Sequence, residues 1–230
     1  MFEVVVDGYD AVYPAVAASQ TFRRLWAQHA YGGDFPEEYA HISFLTFDEL
    51  RGMAEHLGLG EHGVLVDLAC GAGGPGLWVA SQAGASLIGI DPSAAGLTEA
   101  RGRAQRVGFA DRACYRQGTF AITGLDAAAA DGVLSVDAVQ YESDKVAVFA
   151  EARRILPPGG RLTFSALEVE PARRGSPGPG GRSGPRLRAV APGRRLCHRL
   201  VPRIRRLGRA RSGDLPRGGR CHAELDRRDG

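Results

Sequence analysis

The sequence predicts an α/β fold with a doubly wound, mainly parallel sheet, and three observations carry that prediction. From residue 64 onward, apolar runs of strand length alternate with segments of helical periodicity. The first run ends in a glycine-rich turn, Gly71-Ala72-Gly73-Gly74-Pro75-Gly76, which opens a helix. Strands that are separated by helices return in the same direction, so the sheet should be parallel.

The individual elements follow from capping and stop signals. Thr46-Phe47-Asp48-Glu49 is a capping box, and it predicts an amphipathic helix that ends at Gly58. Residues 11–30 are also expected to be helical despite Pro14, and a loop should follow over 31–43. The predicted strands are 64–68, 86–90, 113–117, 132–136 and 161–166, and the later helices are 75–82, 94–107 and 144–156, the last two capped by Ser93 and Ser143.

Composition divides the chain near Pro171. Residues 171–230 hold seventeen arginines, no lysine, four acids and no aromatic residue, so this segment carries +13 while residues 1–170 carry −10. Such a segment cannot bury enough apolar surface to offset its ordering entropy, and we expect it to be disordered. The predicted organisation is a helical N-terminal cap that contains the substrate region (1–60), a ligand-binding core (61–170) and an Arg/Gly/Pro-rich tail (171–230).

Three interpretations of the tail stay open. Clustered arginine can bind phosphate backbones as a basic arm, and a charged low-complexity stretch can equally be a solvated tail without a specific role. Arginine, glycine, proline and alanine are also the residues that GC-rich codons encode. We favour a shifted reading frame near Arg173, and sequencing the gene tests that interpretation.

Several classes of protein are disfavoured by simple patterns. Residues 1–18 carry acids and no basic n-region, and no apolar run reaches 18 residues, so the sequence predicts a cytoplasmic protein without a membrane segment. The cysteines form no C-x-x-C pair, and no histidine lies at metal-ligand spacing. We therefore expect no metal site.

The residue before the glycine turn separates two kinds of nucleotide site. The turn formally satisfies the dinucleotide pattern G-x-G-x-x-G, and Asp91 lies 24 residues after Asp67. However, the first strand of a dinucleotide site is apolar up to its last residue, whereas this strand carries Asp67. A carboxylate at this place suits a ligand with an ammonium group and repels a pyrophosphate.

These residues resemble a known family. The run from Val64 to Gly76 is similar to the first motif of class I S-adenosylmethionine-dependent methyltransferases, near the small-molecule branch of ubiquinone, menaquinone and natural-product enzymes. The run from Leu156 to Leu162 resembles the turn into their fifth strand, and the resemblance covers residues 40–170. It implies a Rossmann-like sheet and in-line methyl transfer to an oxygen, nitrogen or carbon atom of a small molecule, as in secondary metabolism. The family's last strands do not follow Glu170, so we expect them to be missing.

The resemblance also assigns cofactor-binding residues. Asp67 would hold the amino group of S-adenosylmethionine electrostatically, with a turn-capping role as the alternative. Gly71 and Gly73 would let the chain pass beside the cofactor, and Ala69 stands where the family more often has glycine. Asp91 would accept the ribose hydroxyls through its two oxygens. The other implied cofactor contacts are Pro92, Thr119, Phe120 and Asp137, although Phe120 is equally well explained as core.

Acceptor-binding residues are expected near the N-terminus and after the fourth strand. A general base is needed only for a hydroxyl, phenol or acidic carbon, and His41 is the main candidate, with His29 as the other. Tyr141 is a further catalytic candidate. The expected substrate contacts are Tyr9, Tyr31, Gln140 and Tyr141, and an aromatic lid of Tyr9, Tyr13, Tyr31 and Phe35 would shield the sulfonium.

Other functions remain as alternatives to a small-molecule methyltransferase. Missing last strands would leave an unpaired sheet edge, so the chain could bind the cofactor yet be catalytically impaired. An NAD(P)-binding oxidoreductase depends on the formal glycine pattern alone. A nucleic-acid methyltransferase depends on the tail alone, because the core is acidic and lacks an N/D-P-P-Y-type motif, so we do not expect a nucleic-acid partner. The sequence predicts no oligomeric state.

Overall fold

The structure is a computed structural model that describes residues 2–31 and 35–166. The predictions for the tail, namely disorder, a basic arm, a shifted frame and the missing last strands, lie outside the described residues. Within the described part, no helix is long and apolar enough to span a membrane.

A five-stranded, fully parallel sheet forms the centre of the fold, as predicted. Its strand order is β3-β2-β1-β4-β5, so the chain reverses direction across the sheet between β1 and β4. Ligands bind at such a switch point, beyond the carboxyl ends of the strands. The strands are β1 (Val64–Leu68), β2 (Ser86–Asp91), β3 (Ala113–Gln117), β4 (Gly132–Ser135) and β5 (Arg161–Phe164).

Six α-helices among the described residues surround the sheet and its switch-point edge. They are α1 (Phe2–Ala18), α2 (Gln20–Trp26), α3 (Phe47–Leu57), α4 (Gly74–Ala83), α5 (Ala94–Arg106) and α6 (Lys145–Ile155). The capping box at Thr46 and the left-handed Gly58 bound α3 as predicted, and Ser93 caps α5. The cap predicted for α6 is wrong: Asp144 accepts from the Ala147 N–H, while Ser143 donates its own N–H and hydroxyl to Glu142.

The N-terminal helices also differ from the prediction of one helix over 11–30. Helix α1 begins near the start of the chain and ends before Ser19, whose side chain caps α2 by accepting from the Phe22 N–H. A wide π-helical turn, Ala27–Tyr31, continues α2. The cap at Ser19 turns the chain, and this break allows α1 to pack along α5.

One carboxylate holds α1 against the sheet domain. Asp10 accepts hydrogen bonds from the Ser93 hydroxyl and, at 3.3 Å, from the Ala95 N–H at the start of α5. The cap of α5 therefore connects α1 to the switch-point edge of the sheet. Helix α1 forms one wall above that edge.

Candidate functional site

A cavity lies at the switch point, beyond the ends of β1, β2 and β4. Segments that are distant in sequence enclose it: α1, residues 41–43, the turns that follow these three strands, and Phe120 after β3. The described residues that line it are Val5, Val6, Tyr9, Tyr13, His41, Ile42, Ser43, Asp67, Ala69, Cys70, Gly71, Ala72, Pro75, Asp91, Pro92, Ser93, Phe120, Val136, Asp137, Ala138 and Tyr141.

The glycine turn between β1 and α4 forms the floor of this cavity. Gly71 has a φ of 51°, and a Cβ atom there would lie 2.3 Å from the Tyr13 hydroxyl oxygen. Gly73 has a φ of 78° and turns toward Tyr115 and Ala100 rather than into the cavity. Ala69 also adopts a left-handed φ, 57°, which is unfavourable for a residue with a Cβ atom. The position is therefore one where glycine would fit without strain.

Asp67 lies beneath the turn and is 2% exposed. It accepts a hydrogen bond from the backbone of Gly76 in the first turn of α4, while its Oδ1 atom has no partner among the described residues. Burial, assisted by the nearby charge of Asp91, raises the pKa of Asp67 to about 8. Asp67 thus combines the turn-capping role with an unsatisfied oxygen.

Asp91, at the end of β2, uses both carboxylate oxygens within the protein. Oδ2 accepts from the Gly71 N–H at 2.7 Å, and Oδ1 accepts from the Ser93 N–H at 2.8 Å. Burial raises the pKa of this carboxyl. Since each carboxylate oxygen has two lone pairs, Asp91 can accept further hydrogen bonds from a ligand.

The charges around the cavity are unbalanced. Asp67, Asp91 and Asp137 line it, and no described lining residue is a lysine or an arginine. None of the three takes part in an ion pair with a described residue. A cavity with this charge favours a cationic ligand.

His41 is enclosed on the other side of the cavity, at 8% exposure. The Tyr31 hydroxyl donates to its carbonyl oxygen and accepts from its N–H at 2.7 Å, while Nδ1 lies 2.8 Å from the Ser43 hydroxyl. The Nε2 atom has no partner among the described residues. Burial, together with the charge of Arg103, lowers the pKa of His41 to about 3, so its imidazole is neutral.

Two tyrosines meet across the cavity from opposite sides. The Tyr9 hydroxyl of α1 donates to the Tyr141 hydroxyl at 3.1 Å, and their rings meet edge to face with centroids 6.0 Å apart. Tyr9 also stacks on Tyr13 at 5.5 Å. Tyr141 keeps 39% of its surface exposed, so this pair lies at the rim.

Asp137 follows β4 and joins three segments. Its carboxylate accepts from the Phe44 N–H at 2.9 Å and from the Ser165 hydroxyl at 2.7 Å, and its φ is 47°. Asp137 therefore holds the segment that contains His41 next to the end of β4.

Most of the predicted site residues share this cavity, but some lie elsewhere. Tyr31 is buried beneath His41, Gln140 donates to the Asp137 carbonyl oxygen, and Thr119 accepts from the Ile122 N–H. These three and Gly73 do not line the cavity. Of the four residues predicted to form an aromatic lid, only Tyr9 and Tyr13 line the cavity, because Phe35 is buried against Tyr31 and His41. His29, the second candidate base, is exposed and does not line the cavity. Phe120 is buried and also lines the cavity.

Sequence reasoning missed the contribution of α1 apart from its tyrosines. Val5, Tyr9 and Tyr13 are spaced by four residues, which places them on one helical face. That spacing could have revealed the wall, but the helix was expected to begin at residue 11. Ser43, Cys70 and Ser93 were also missed as lining residues.

Residues 66–164 match the family model described as a methyltransferase domain. The match runs from β1 through β5 and includes the three acidic lining residues Asp67, Asp91 and Asp137. Over residues 66–164, the chain is homologous to class I methyltransferases. The described residues contain no group of three or more histidine, cysteine or acidic side chains that could hold a metal ion.

Several known proteins are similar to this chain. A 27-O-demethylrifamycin SV methyltransferase of Amycolatopsis mediterranei (strain S699) is 27% identical over 171 residues, which cover 73% of this chain and 60% of that protein. A geranyl diphosphate C-methyltransferase from Streptomyces coelicolor A3(2), crystallised with Mg²⁺, geranyl diphosphate and S-adenosyl-L-homocysteine, matches with a TM-score of 0.50 and 26% identity over 52% of this chain and 45% of that one.

A [4+2]-cyclase, SpnF, shares the fold with a TM-score of 0.56 at 23% identity, over 70% of this chain and 58% of that one. The chain thus spans less than two thirds of the length of each of these three relatives.

Proposed function

We propose that the chain binds S-adenosylmethionine in the acidic cavity and transfers its methyl group to a small molecule. The observation that carries this proposal is the pair Asp67 and Asp91, two buried carboxyl groups at the glycine turn that no described cation neutralises. A cationic cofactor favours the ionised form of both carboxyl groups and gives the Oδ1 atom of Asp67 a partner.

The residues fit the parts of this cofactor. Asp67 holds the amino group, directly or through a water molecule, and Asp91 accepts from the ribose hydroxyls with the lone pairs that Gly71 and Ser93 leave free. Gly71, Ala69 and Pro92 let the backbone approach the cofactor closely, and Phe120 offers an apolar face for the adenine. Gly73 acts indirectly, by allowing the turn, and Thr119 keeps its neighbouring loop in place.

Bound S-adenosylmethionine supplies an electrophilic methyl group on a sulfonium, whose neutral thioether is a good leaving group. The protein's contribution is then to align the acceptor atom and exclude water. Tyr9 and Tyr141 close the rim above the cavity, and Asp137 and His41 stand on the β4 side where the acceptor would enter. Tyr31 positions His41 from below, and Gln140 supports the turn of Asp137.

Two of the relatives named above support the assignment of the cofactor but do not identify the substrate. The rifamycin relative is named as a methyltransferase, and the geranyl diphosphate enzyme was crystallised with S-adenosyl-L-homocysteine, the product form of the cofactor. These two relatives act on different molecules, so their names give no single acceptor for this chain.

Equilibrium dialysis of the full chain against radiolabelled S-adenosylmethionine and, separately, NADH tests the proposal. We expect binding of the first ligand only, and a loss of at least about tenfold in affinity for Asp91→Ala, because the ribose and the glycine turn both lose a partner. Asp111→Ala is the matched control, since Asp111 is exposed and far from the cavity lining. Binding of NADH instead, or equal effects of the two substitutions, would contradict the proposal.

A further inference from the structure

The β4 side of the cavity carries information about the acceptor. This side is formed by residues 41–43 and 136–138 together with Tyr9 and Tyr141. The Phe44 N–H to Asp137 hydrogen bond holds the first two segments together. Ile42, Val136 and Ala138 make its walls apolar, so the body of the acceptor contacts hydrocarbon surface.

One polar atom on this side lacks a partner. Nε2 of His41 is buried and has no hydrogen-bond partner among the described residues, and it belongs to a side chain that lines the cavity and is more than nine-tenths buried. Buried polar groups in native proteins are nearly always hydrogen-bonded. The unpartnered nitrogen therefore indicates a polar group on the ligand that enters here.

Ser43 leaves this nitrogen free to donate or accept. Its hydroxyl oxygen accepts from the Leu45 N–H at 3.1 Å and lies 2.8 Å from Nδ1 of His41. A hydroxyl can donate to Nδ1 or accept from it, so Ser43 satisfies either neutral tautomer of the imidazole. Nε2 is then matched to a hydroxyl group, which can likewise donate and accept.

Charge narrows the class of acceptor further. An anionic acceptor would meet Asp137 and Asp91 with no described lysine or arginine along the lining. This differs from the geranyl diphosphate enzyme, which was crystallised with a diphosphate and Mg²⁺. An amine would be kept protonated by the same carboxylates, and a protonated amine has no lone pair with which to accept a methyl group.

We infer that the acceptor is an uncharged hydroxyl compound with an apolar body, and that Nε2 of His41 holds its hydroxyl group. This inference rests on the proposed function and names the substrate class for the same site. It assigns His41 a binding role at the acceptor oxygen, with Ser43 and Tyr31 as its positioning residues. A neutral imidazole suits this role, because it adds no charge next to the cationic methyl donor.

Binding of matched probes to the full chain saturated with S-adenosylhomocysteine tests the inference. The probes are 2-naphthol, naphthalene, 2-naphthoate and 2-naphthylmethylamine, which share one apolar body and differ in the polar group. We expect 2-naphthol to bind at least about fivefold more tightly than naphthalene, the worth of one hydrogen bond, and at least about tenfold more tightly than 2-naphthoate.

Variants separate the hydrogen bond from the shape of the cavity. His41→Leu should reduce the affinity for 2-naphthol about fivefold and leave that for naphthalene unchanged, and His41→Gln, which keeps a polar group, should restore most of it. His29→Leu is the matched control, since His29 is exposed in the turn after α2. If His41→Leu loses its affinity for S-adenosylhomocysteine, its cavity has collapsed and the variant is not informative. The ratio of the affinities for 2-naphthol and naphthalene in the unaltered chain then tests the inference.

Several results would overturn the inference. The first three are no binding of 2-naphthol, equal affinities for 2-naphthol and naphthalene, and tighter binding of 2-naphthoate than of 2-naphthol. The fourth is tighter binding of protonated 2-naphthylmethylamine than of 2-naphthol, if Asp137→Asn abolishes it. The affinity for S-adenosylhomocysteine is measured first. Its absence in the unaltered chain contradicts the proposed function, whereas its presence together with one of those results contradicts the acceptor class alone.

Discussion

Asp67→Asn should change how the stability of the protein depends on pH. Burial raises the pKa of this carboxyl from its ordinary 3.8 to about 8 in the folded, ligand-free chain. The folded state therefore keeps a proton that the unfolded state loses near pH 4, so stability falls as pH rises from about 4 to about 8. Asparagine keeps the oxygen that accepts from Gly76 but cannot ionise.

The magnitude follows from the displaced pKa. Each pKa unit corresponds to about 1.4 kcal/mol, so ionising Asp67 in the folded state costs up to about 6 kcal/mol in total. About 2 kcal/mol of this falls between pH 6 and pH 8. Other groups titrate as well, but the difference between the two chains isolates Asp67.

Urea unfolding at pH 6, 7 and 8 measures this difference directly. Between pH 6 and pH 8, the free energy of unfolding of the unaltered chain should fall by about 2 kcal/mol more than that of Asp67→Asn. Asp111→Asn, at an exposed position, should follow the unaltered chain. Parallel pH profiles for the unaltered chain and Asp67→Asn would refute the burial argument on which the site's charge rests.

Three further substitutions test the backbone and the contacts around the site by urea unfolding. Ala69→Gly should stabilise the chain by up to about 1 kcal/mol, because it relieves a left-handed φ of 57°; a loss of stability would show that the turn is relaxed with alanine. Tyr9→Phe removes the hydrogen bond to Tyr141 and should destabilise the chain by about 0.5–1.5 kcal/mol. Adding Tyr141→Phe should cause no further loss, and additive losses would mean that the two hydroxyl groups act independently. Asp144→Ala removes the cap of α6 and should lower the stability of the chain by about 1 kcal/mol, whereas Ser143→Ala should lower it by less than about 0.5 kcal/mol. A larger loss for Ser143→Ala than for Asp144→Ala would contradict the observed cap.

The sheet and the side of the cavity formed by the glycine turn were predictable from the sequence because their signals are local. Apolar runs such as Val64–Leu68 and Ser86–Asp91 are bounded by glycine and by capping serine, and each carries its acid at the carboxyl end of the strand. In a parallel sheet those ends lie on one edge, so Asp67 and Asp91 were expected to be neighbours. The same argument predicts that Asp137, which follows the fourth strand, lies at this edge of the sheet.

The side of the cavity that contains His41 could not be predicted in the same way, because its properties depend on contacts between distant segments. The neutral state of His41 results from burial and from Arg103, and its orientation depends on Tyr31 and Ser43. No spacing rule connects these residues. The N-terminal wall was missed for a different reason: the helix was expected to begin at residue 11, whereas α1 already contains Val5 and Tyr9.

Proton release on cofactor binding tests the central claim most directly, namely that buried carboxyl groups at the glycine turn receive a cationic cofactor. Calorimetric titration of the full chain with S-adenosylmethionine at pH 7, in two buffers of different ionisation enthalpy, measures both affinity and proton transfer. The ammonium group should drive Asp67, protonated at this pH in the free chain, to ionise, so binding should release up to about one proton, and Asp67→Asn should release close to none. Absence of binding, or equal proton release from both chains, would contradict the claim.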